Sequence, residues 1–323
     1  MVWRRWAGVL GCSLIAGCAQ RAALGQEAVN IVPRVAAKTA ATAPAAIRVD
    51  SALVLIPVHV TTAAGASVTS LDRDNFRLFD DNEEQTISVF AHDDAPISVG
   101  LLFDASGSMK NKRQKIAEAA ASFFKFSNKE DEFFLIEFSD RPKLAVPFTS
   151  DVGAIYSKIV ATKPYGRTAL LDAVQRALRQ MKGARHLRKA LVILSDGGDN
   201  WSRHKAREIE SALLESDVQV YAMGIFDADL DTHHPAEERE GPRLLKDLTE
   251  QSGGRLYPVS DIAGLPAISE RISRELRNQY LLGFTPTHPP LEGKYRKVQV
   301  KLAPPRGMPE LRAYYRAGYY GIE

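Results

Sequence analysis

Ile97-Ser98-Val99-Gly100-Leu101-Leu102-Phe103-Asp104-Ala105-Ser106-Gly107-Ser108 is a nearly continuous apolar run that ends in an acid followed by two hydroxyls. Such a run predicts a strand buried on both faces. Beyond it Ile116, Ala119, Ala120, Phe123 and Phe124 recur at helical spacing, so strand gives way to helix. The alternation repeats along the chain. Strands are predicted at residues 132–138, 190–194 and 218–225, and helical stretches carry Leu170, Leu171, Val174, Ala177, Leu178 and Met181, then Ile209, Leu213 and Leu214, then Leu244, Leu245 and Leu248. A short strand at 255–259 and a helix through Ile262, Leu265, Ile268 and Ile272 close the region. Buried strands alternating with amphipathic helices predict an α/β fold, a Rossmann-like, doubly wound, mostly parallel sheet over residues 95–277.

The flanks have a different texture. Residues 47–60 are rich in Val, Leu and Ile but contain Pro57, which favours an edge or bulged strand. Residues 76–79 and 86–91 read as two strands around the polar turn 80–84, and the whole segment 47–94 reads as β-structure without helix. After Asn278 the β pattern returns at 280–284 and 297–302, followed by an aromatic tail with Tyr314, Tyr315, Tyr319 and Tyr320. Neither flank is large enough to hold a core alone. Segments 47–94 and 278–320 are therefore expected to form one small β-sandwich-like module into which the α/β domain is inserted; two separate β-appendages are the competing arrangement.

The chain has 323 residues, 45% hydrophobic, 25% charged and 8% aromatic. These values exclude disordered, collagenous and disulfide-scaffold classes. A formal charge of +3 with no basic stripe argues against nucleic acid as a partner. Cys12 and Cys18 are the two cysteines, so the body has no thiol for a zinc cluster, a disulfide or a nucleophile. Arg4 and Arg5, then apolar residues 6–15, then Ala16-Gly17-Cys18 follow the order of an export signal over residues 1–17. Its apolar part is too short to span a bilayer. Ile15-Ala16-Gly17-Cys18 resembles the lipobox of bacterial lipoproteins, which implies that Cys18 is the site of lipid attachment; the competing reading is an ordinary cleaved signal. Residues 18–46, Ala-rich with Pro33 and Pro44, are expected to tether the body to the membrane. Ala19 follows the cysteine in place of an aspartate that would imply inner-membrane retention. The expected location is the cell envelope, at the outer membrane or in the periplasm, with the lipid as the sole membrane contact.

In an extended loop, side chains two apart point the same way, so Asp104, Ser106 and Ser108 can converge. Gly166-Arg167-Thr168 opens a later helix, and Leu194-Ser195-Asp196-Gly197 ends a later strand. Loops at the carboxyl ends of an open parallel sheet meet where strand order reverses. Asp104, Ser106, Ser108, Thr168 and Asp196 thus offer five hard oxygen donors to one place.

With these elements in this order, residues 97–279 resemble the von Willebrand factor type A (VWFA) domain and its metal-ion-dependent adhesion site. The resemblance implies that Ser106, Ser108 and Thr168 are direct metal ligands, with Asp104 and Asp196 holding coordinated waters. Such a shell suits Mg2+ or Mn2+ better than zinc. It also implies that an Asp or Glu carboxylate from a protein ligand completes the shell. The flanking Asp74-Asn75-Phe76, Asp80-Asp81-Asn82 and Asn278-Gln279-Tyr280-Leu281-Leu282-Gly283-Phe284 resemble the VWFA-related family of exported acidobacterial proteins.

Asp227, Asp229, Asp231 and Glu238 have the spacing of a calcium loop, but Thr232 stands where the sharp turn needs glycine. A solvated acidic loop near the site rim is the favoured reading. Trp201 either packs at that rim or covers the following helix. The histidines are read as surface or packing residues, and the run 185–189 as a charged loop. No phosphate-binding Gly-rich Lys-Ser/Thr loop, His-Glu-x-x-His or Gly-x-Ser-x-Gly elbow is present. The expectation is a non-enzymatic adhesion module; a structural envelope protein with a vacant site and a metal-assisted hydrolase are the alternatives.

Overall fold

A computed structural model describes residues 53–92, 94–226, 235–288 and 294–320. The expected signal, tether and Cys18, and the acidic Asp227, Asp229 and Asp231, lie outside them.

The first described strands are β1 (Val54–Thr62), β2 (Phe76–Asp80), β3 (Glu83–Gln85) and β4 (Val89–Ala91). The α/β region follows with β5 (Ile97–Asp104), α1 (Arg113–Phe123), β6 (Glu132–Phe138), β7 (Pro142–Thr149), α2 (Val152–Ala161) and α3 (Leu170–Met181). It continues through β8 (Arg188–Ser195), α4 (Ala206–Glu215), β9 (Val218–Ile225), α5 (Ala236–Gln251), β10 (Leu256–Val259) and α6 (Leu265–Arg277). The chain then returns to strands: β11 (Gln279–Phe284), β12 (Tyr295–Leu302), β13 (Leu311–Tyr314) and β14 (Gly318–Tyr320).

The six-stranded sheet has the order β10-β9-β8-β5-β6-β7. All its neighbours run parallel except β7, which is antiparallel to β6. β5 and β9 are buried at every position, as two-sided burial of a parallel sheet requires. The two-residue period of β5 divides the core. Val99, Leu101 and Phe103 pack with α1, α2 and α6 residues such as Ile116, Ile155 and Ile272. Leu102 faces the other layer, with Val174, Ile209 and Leu245 from α3, α4 and α5. This is the doubly wound α/β fold expected from the alternation.

The flanking strands form two antiparallel sheets, β13-β1-β11-β4 and β14-β12-β2-β3. Each sheet mixes strands from before and after the α/β region. Ile56, Val58, Tyr280, Leu282 and Phe284 of one sheet share a core with Leu78, Val298, Val300 and Tyr319 of the other. That shared core selects the sandwich over two appendages. Tyr280 stitches its loop, donating to the Val68 carbonyl at 2.9 Å and accepting from the Leu71 amide at 3.0 Å.

Several details differ from the sequence expectations. β1 is an inner strand, paired with β11 over residues 54–59 and with β13 over 59–62. Pro57 is tolerated because β13 begins to pair only at His59, leaving one flank of β1 open at the proline. The polar turn is tighter than residues 80–84, because Asp81 and Asn82 adopt positive φ and close β2 onto β3. The predicted strand 86–91 shortens to β4, which leaves that hairpin to pair with β11. A 3-10 turn at Arg73–Asn75 interrupts the segment expected to lack helix. β7 and α2 appear where no element was expected. Of the basic run, Arg188 and Lys189 belong to β8; Arg185 pairs with Glu132, and Arg188 donates to the Ala95 and Leu276 carbonyls. No helix among the described residues is long and apolar enough to cross a membrane.

Candidate functional site

Strand order reverses at β5, whose chain successor β6 lies on one side and β8 on the other. The carboxyl ends of β5 and β8 therefore lie side by side, and their loops meet at the switch point. Asp104 is the last residue of β5 and is fully buried; Ser106 is buried, Asp196 half-buried and Ser108 exposed. The loop thus climbs from core to solvent in four residues. Asp104 Oδ1 accepts the Ser106 amide at 2.9 Å, and the Ser106 and Ser108 hydroxyl oxygens are 3.0 Å apart. Met109, fully buried, anchors the turn that follows.

Asp196 lies close enough for its charge to act on Asp104. Burial, with that charge adding to it, pushes Asp104 up to about 7, while hydrogen bonds from Ser106 and Ser195 pull the other way. A solvent-inaccessible carboxylate facing a second one is an arrangement that a divalent cation relieves. The donor set of two carboxylates and three hydroxyls is all oxygen, as the chemistry of Mg2+ or Mn2+ requires. Among the described residues no three His, Cys, Asp or Glu side chains cluster in a way that could hold a metal, so any cation here depends on the hydroxyls.

Thr168 is buried beside this loop through backbone contacts. The Gly107 amide donates to the Gly166 carbonyl at 3.2 Å, and the Tyr165 amide to the Ala105 carbonyl at 2.8 Å. Gly166 has φ +75°, and a Cβ there would lie 2.6 Å from the Asp140 carboxylate, which accepts the Arg167 amide at 2.7 Å. Among the described residues, no hydrogen bond ties the Thr168 hydroxyl to the serines.

Other residues position the five and were not singled out from the sequence. Ser195, at the end of β8, donates to Asp104 Oδ2 at 2.5 Å and accepts the Gly197 amide at 3.0 Å. Asn200 accepts the Thr168 amide and Asp199 the Leu170 amide, both at 2.9 Å, so the loop after Asp196 caps the helix after Thr168. Buried Asp172 accepts from the Arg203 amide at 3.1 Å and from His204 Nδ1 at 2.6 Å. Burial raises its pKa, but these hydrogen bonds outweigh that and hold it below the usual carboxylate range. Ser195 and Asp199 were legible as polar neighbours of Asp196 in one short run; Asp172 carried no local signal. Gly197 has φ +79° and approaches Gly241 of α5, where a Cβ would lie 2.7 Å from the Asp196 carbonyl. Glu238, read from the sequence as part of an acidic loop, sits in α5 near Gly198. Trp201 is at the rim: its amide donates to the Thr168 carbonyl at 3.0 Å, and the Arg167 guanidinium lies 4.1 Å over its ring.

Residues 99–198 match the von Willebrand factor type A domain. The match spans β5 to β8 and ends two residues beyond Asp196, so all five predicted site residues fall within it. No curated protein sequence matches the chain. Among solved structures, the conserved hypothetical protein BatB of Bacteroides thetaiotaomicron is 19% identical, with 55% of this chain and 98% of that one covered and a TM-score of 0.42. An aerotolerance-related membrane protein of Bacteroides fragilis is 18% identical over 56% and 98% of the two chains, with a TM-score of 0.45. A von Willebrand factor type A protein of Catenulispora acidiphila is 13% identical over 75% and 73%, with a TM-score of 0.49.

Proposed function

We propose that this chain is a non-enzymatic binding module of the cell envelope that captures a protein ligand through a divalent cation held by Asp104, Ser106, Ser108, Thr168 and Asp196. In this reading the protein belongs with the VWFA-related exported acidobacterial proteins. It is exported and held by a lipid on Cys18, at the outer membrane or in the periplasm.

The observation that carries the proposal is the hydrogen-bonded row Asp104–Ser106–Ser108 at the strand switch point, with Asp196 beside it. A bound Mg2+ or Mn2+ would supply a positive charge that neutral hydroxyl ligands leave under-compensated. A carboxylate on the partner then satisfies it, and affinity is conditional on the metal. The chain's own work is to hold the donors still. Ser195 fixes Asp104, Asn200 fixes the Thr168 amide, and the Gly197–Gly241 contact fixes the Asp196 loop.

The test is a calorimetric titration of the full-length chain with Mg2+ and Mn2+, with Asp196→Ala as control. Saturable binding by the parent and its loss in the variant are expected. Absence of binding in both would leave a structural envelope protein. Magnesium-dependent hydrolysis of a phosphate or peptide substrate would replace the binding role with an enzymatic one.

A further inference from the structure

On the Thr168 side of the site three large side chains stand in solvent: Tyr165, 62% exposed, Trp201, 49% exposed, and Arg167. Each is fixed by its backbone, Tyr165 to Ala105, Arg167 to Asp140 and Trp201 to Thr168. Exposed aromatics and an arginine have the composition of binding hot spots, and a fixed backbone lowers the entropic cost of using them.

The Asp140 carboxylate on this arc bonds the Arg167 backbone amide, not its guanidinium. The Arg167 guanidinium lies over the Trp201 ring, and among the described residues no carboxylate pairs with it. A guanidinium stacked on an indole uses its face and keeps its N–H edge for a carboxylate. Near Gly198, in the same loop as Asp196, α5 brings the Glu238 side chain and the Glu237 backbone.

We propose that Tyr165, Arg167 and Trp201 form a specificity-determining rim that reads a second carboxylate on an acidic protein loop, whose first carboxylate occupies the cation site. An apolar side chain of that loop packs on Trp201 and Tyr165. This inference rests on the proposed function.

Two capped peptides, Gly-Glu-Gly-Glu-Gly and Gly-Glu-Gly-Gln-Gly, are titrated onto the full-length chain in Mg2+ by peptide-observed NMR. The diacidic peptide is expected to bind about fivefold more tightly, the range of an exposed ion pair with good geometry. Arg167→Gln, a surface change, is expected to erase the preference, and Trp201→Ala, which removes the ring under the Arg167 guanidinium, to reduce it. Equal affinities in the parent, no binding of either peptide, or a preference that survives in Arg167→Gln overturns the rim. Mn2+ calorimetry on the same chain separates the two ideas. If Mn2+ binds and the peptides are not distinguished, the rim alone falls; if Mn2+ does not bind, the cation reading falls and takes with it the rim as proposed.

Discussion

The Ser195 hydroxyl joins two neighbouring strand ends, donating to Asp104 Oδ2 at 2.5 Å while accepting the Gly197 amide at 3.0 Å. One atom thus sets both the carboxylate that ends β5 and the loop that carries Asp196. Ser195→Ala would leave a buried carboxylate oxygen and a buried amide without this partner. A loss of about 1–3 kcal/mol in urea unfolding is expected, with weaker Mn2+ binding by calorimetry. Parent-like values in both measurements would remove Ser195 from the site.

Gly241 lies inside α5, where alanine is ordinarily favoured by about 1 kcal/mol. Here a Cβ would stand 2.7 Å from the Asp196 carbonyl oxygen. Gly241→Ala is therefore expected to destabilise by about 1–3 kcal/mol, the usual cost of overpacking, and to lower metal affinity. A gain in stability would mean that the two backbones have room to part.

Asp172 gathers the amides of Arg203 and His204 and the ring of His204 with one buried carboxylate. Asp172→Ala should free the segment that carries Asp199, Asn200 and Trp201, with faster hydrogen exchange at Arg203 and His204 and a stability loss of about 2 kcal/mol. Unchanged exchange at those amides would show that the loop is held elsewhere.

His59 gives the sandwich a pH dependence. Its ring is fully buried, bonded through Nε2 to Ser67 at 3.0 Å, with Nδ1 3.5 Å from Glu275. Arg255 and Arg271 reach the same Glu275 carboxylate, Tyr257 donates to it, and Tyr314 stacks on the ring. Burial lowers the His59 pKa to about 4; Glu275 opposes that shift and the two arginines assist it. The unfolded chain binds this proton near pH 6.5 and the folded chain only near 4. The contribution is thus fully present above 6.5 and is lost as pH falls from 6.5 to 4, by about 3 kcal/mol. Urea midpoints of the parent and His59→Leu across this range test it: the variant should lose less on acidification, and parallel curves would refute the assignment.

The buried strands β5, β8 and β9 were legible because two-sided burial leaves an unbroken apolar run. β7 was not: none of its eight positions is fully buried, and Pro142 and Pro147 break its pattern. An edge strand beside a parallel sheet keeps little of the signal that periodicity reads. Among site residues, Asp104, Ser106 and Ser108 announce themselves within five positions. Asp172 and His204, or Arg167 and Trp201, meet only after 32 and 34 intervening steps of chain, and no local pattern encodes such a meeting. Pro57 illustrates the converse, since its local rule was sound but the length of the neighbouring strand decided where the strand could sit.

Because the α/β region is inserted between β4 and β11, it hangs from the sandwich by two chain crossings, and Arg277 clasps them, bonding Asp94 and Asp131 and the Phe126 carbonyl. Both crossings lie at the start of β5, about 25 Å from Asp104 by the rise of an eight-residue strand. A tug delivered at the rim is shared between two covalent lines. The six residue pairs that join β11 to β1 carry the part of that load that passes along β11 into the sandwich.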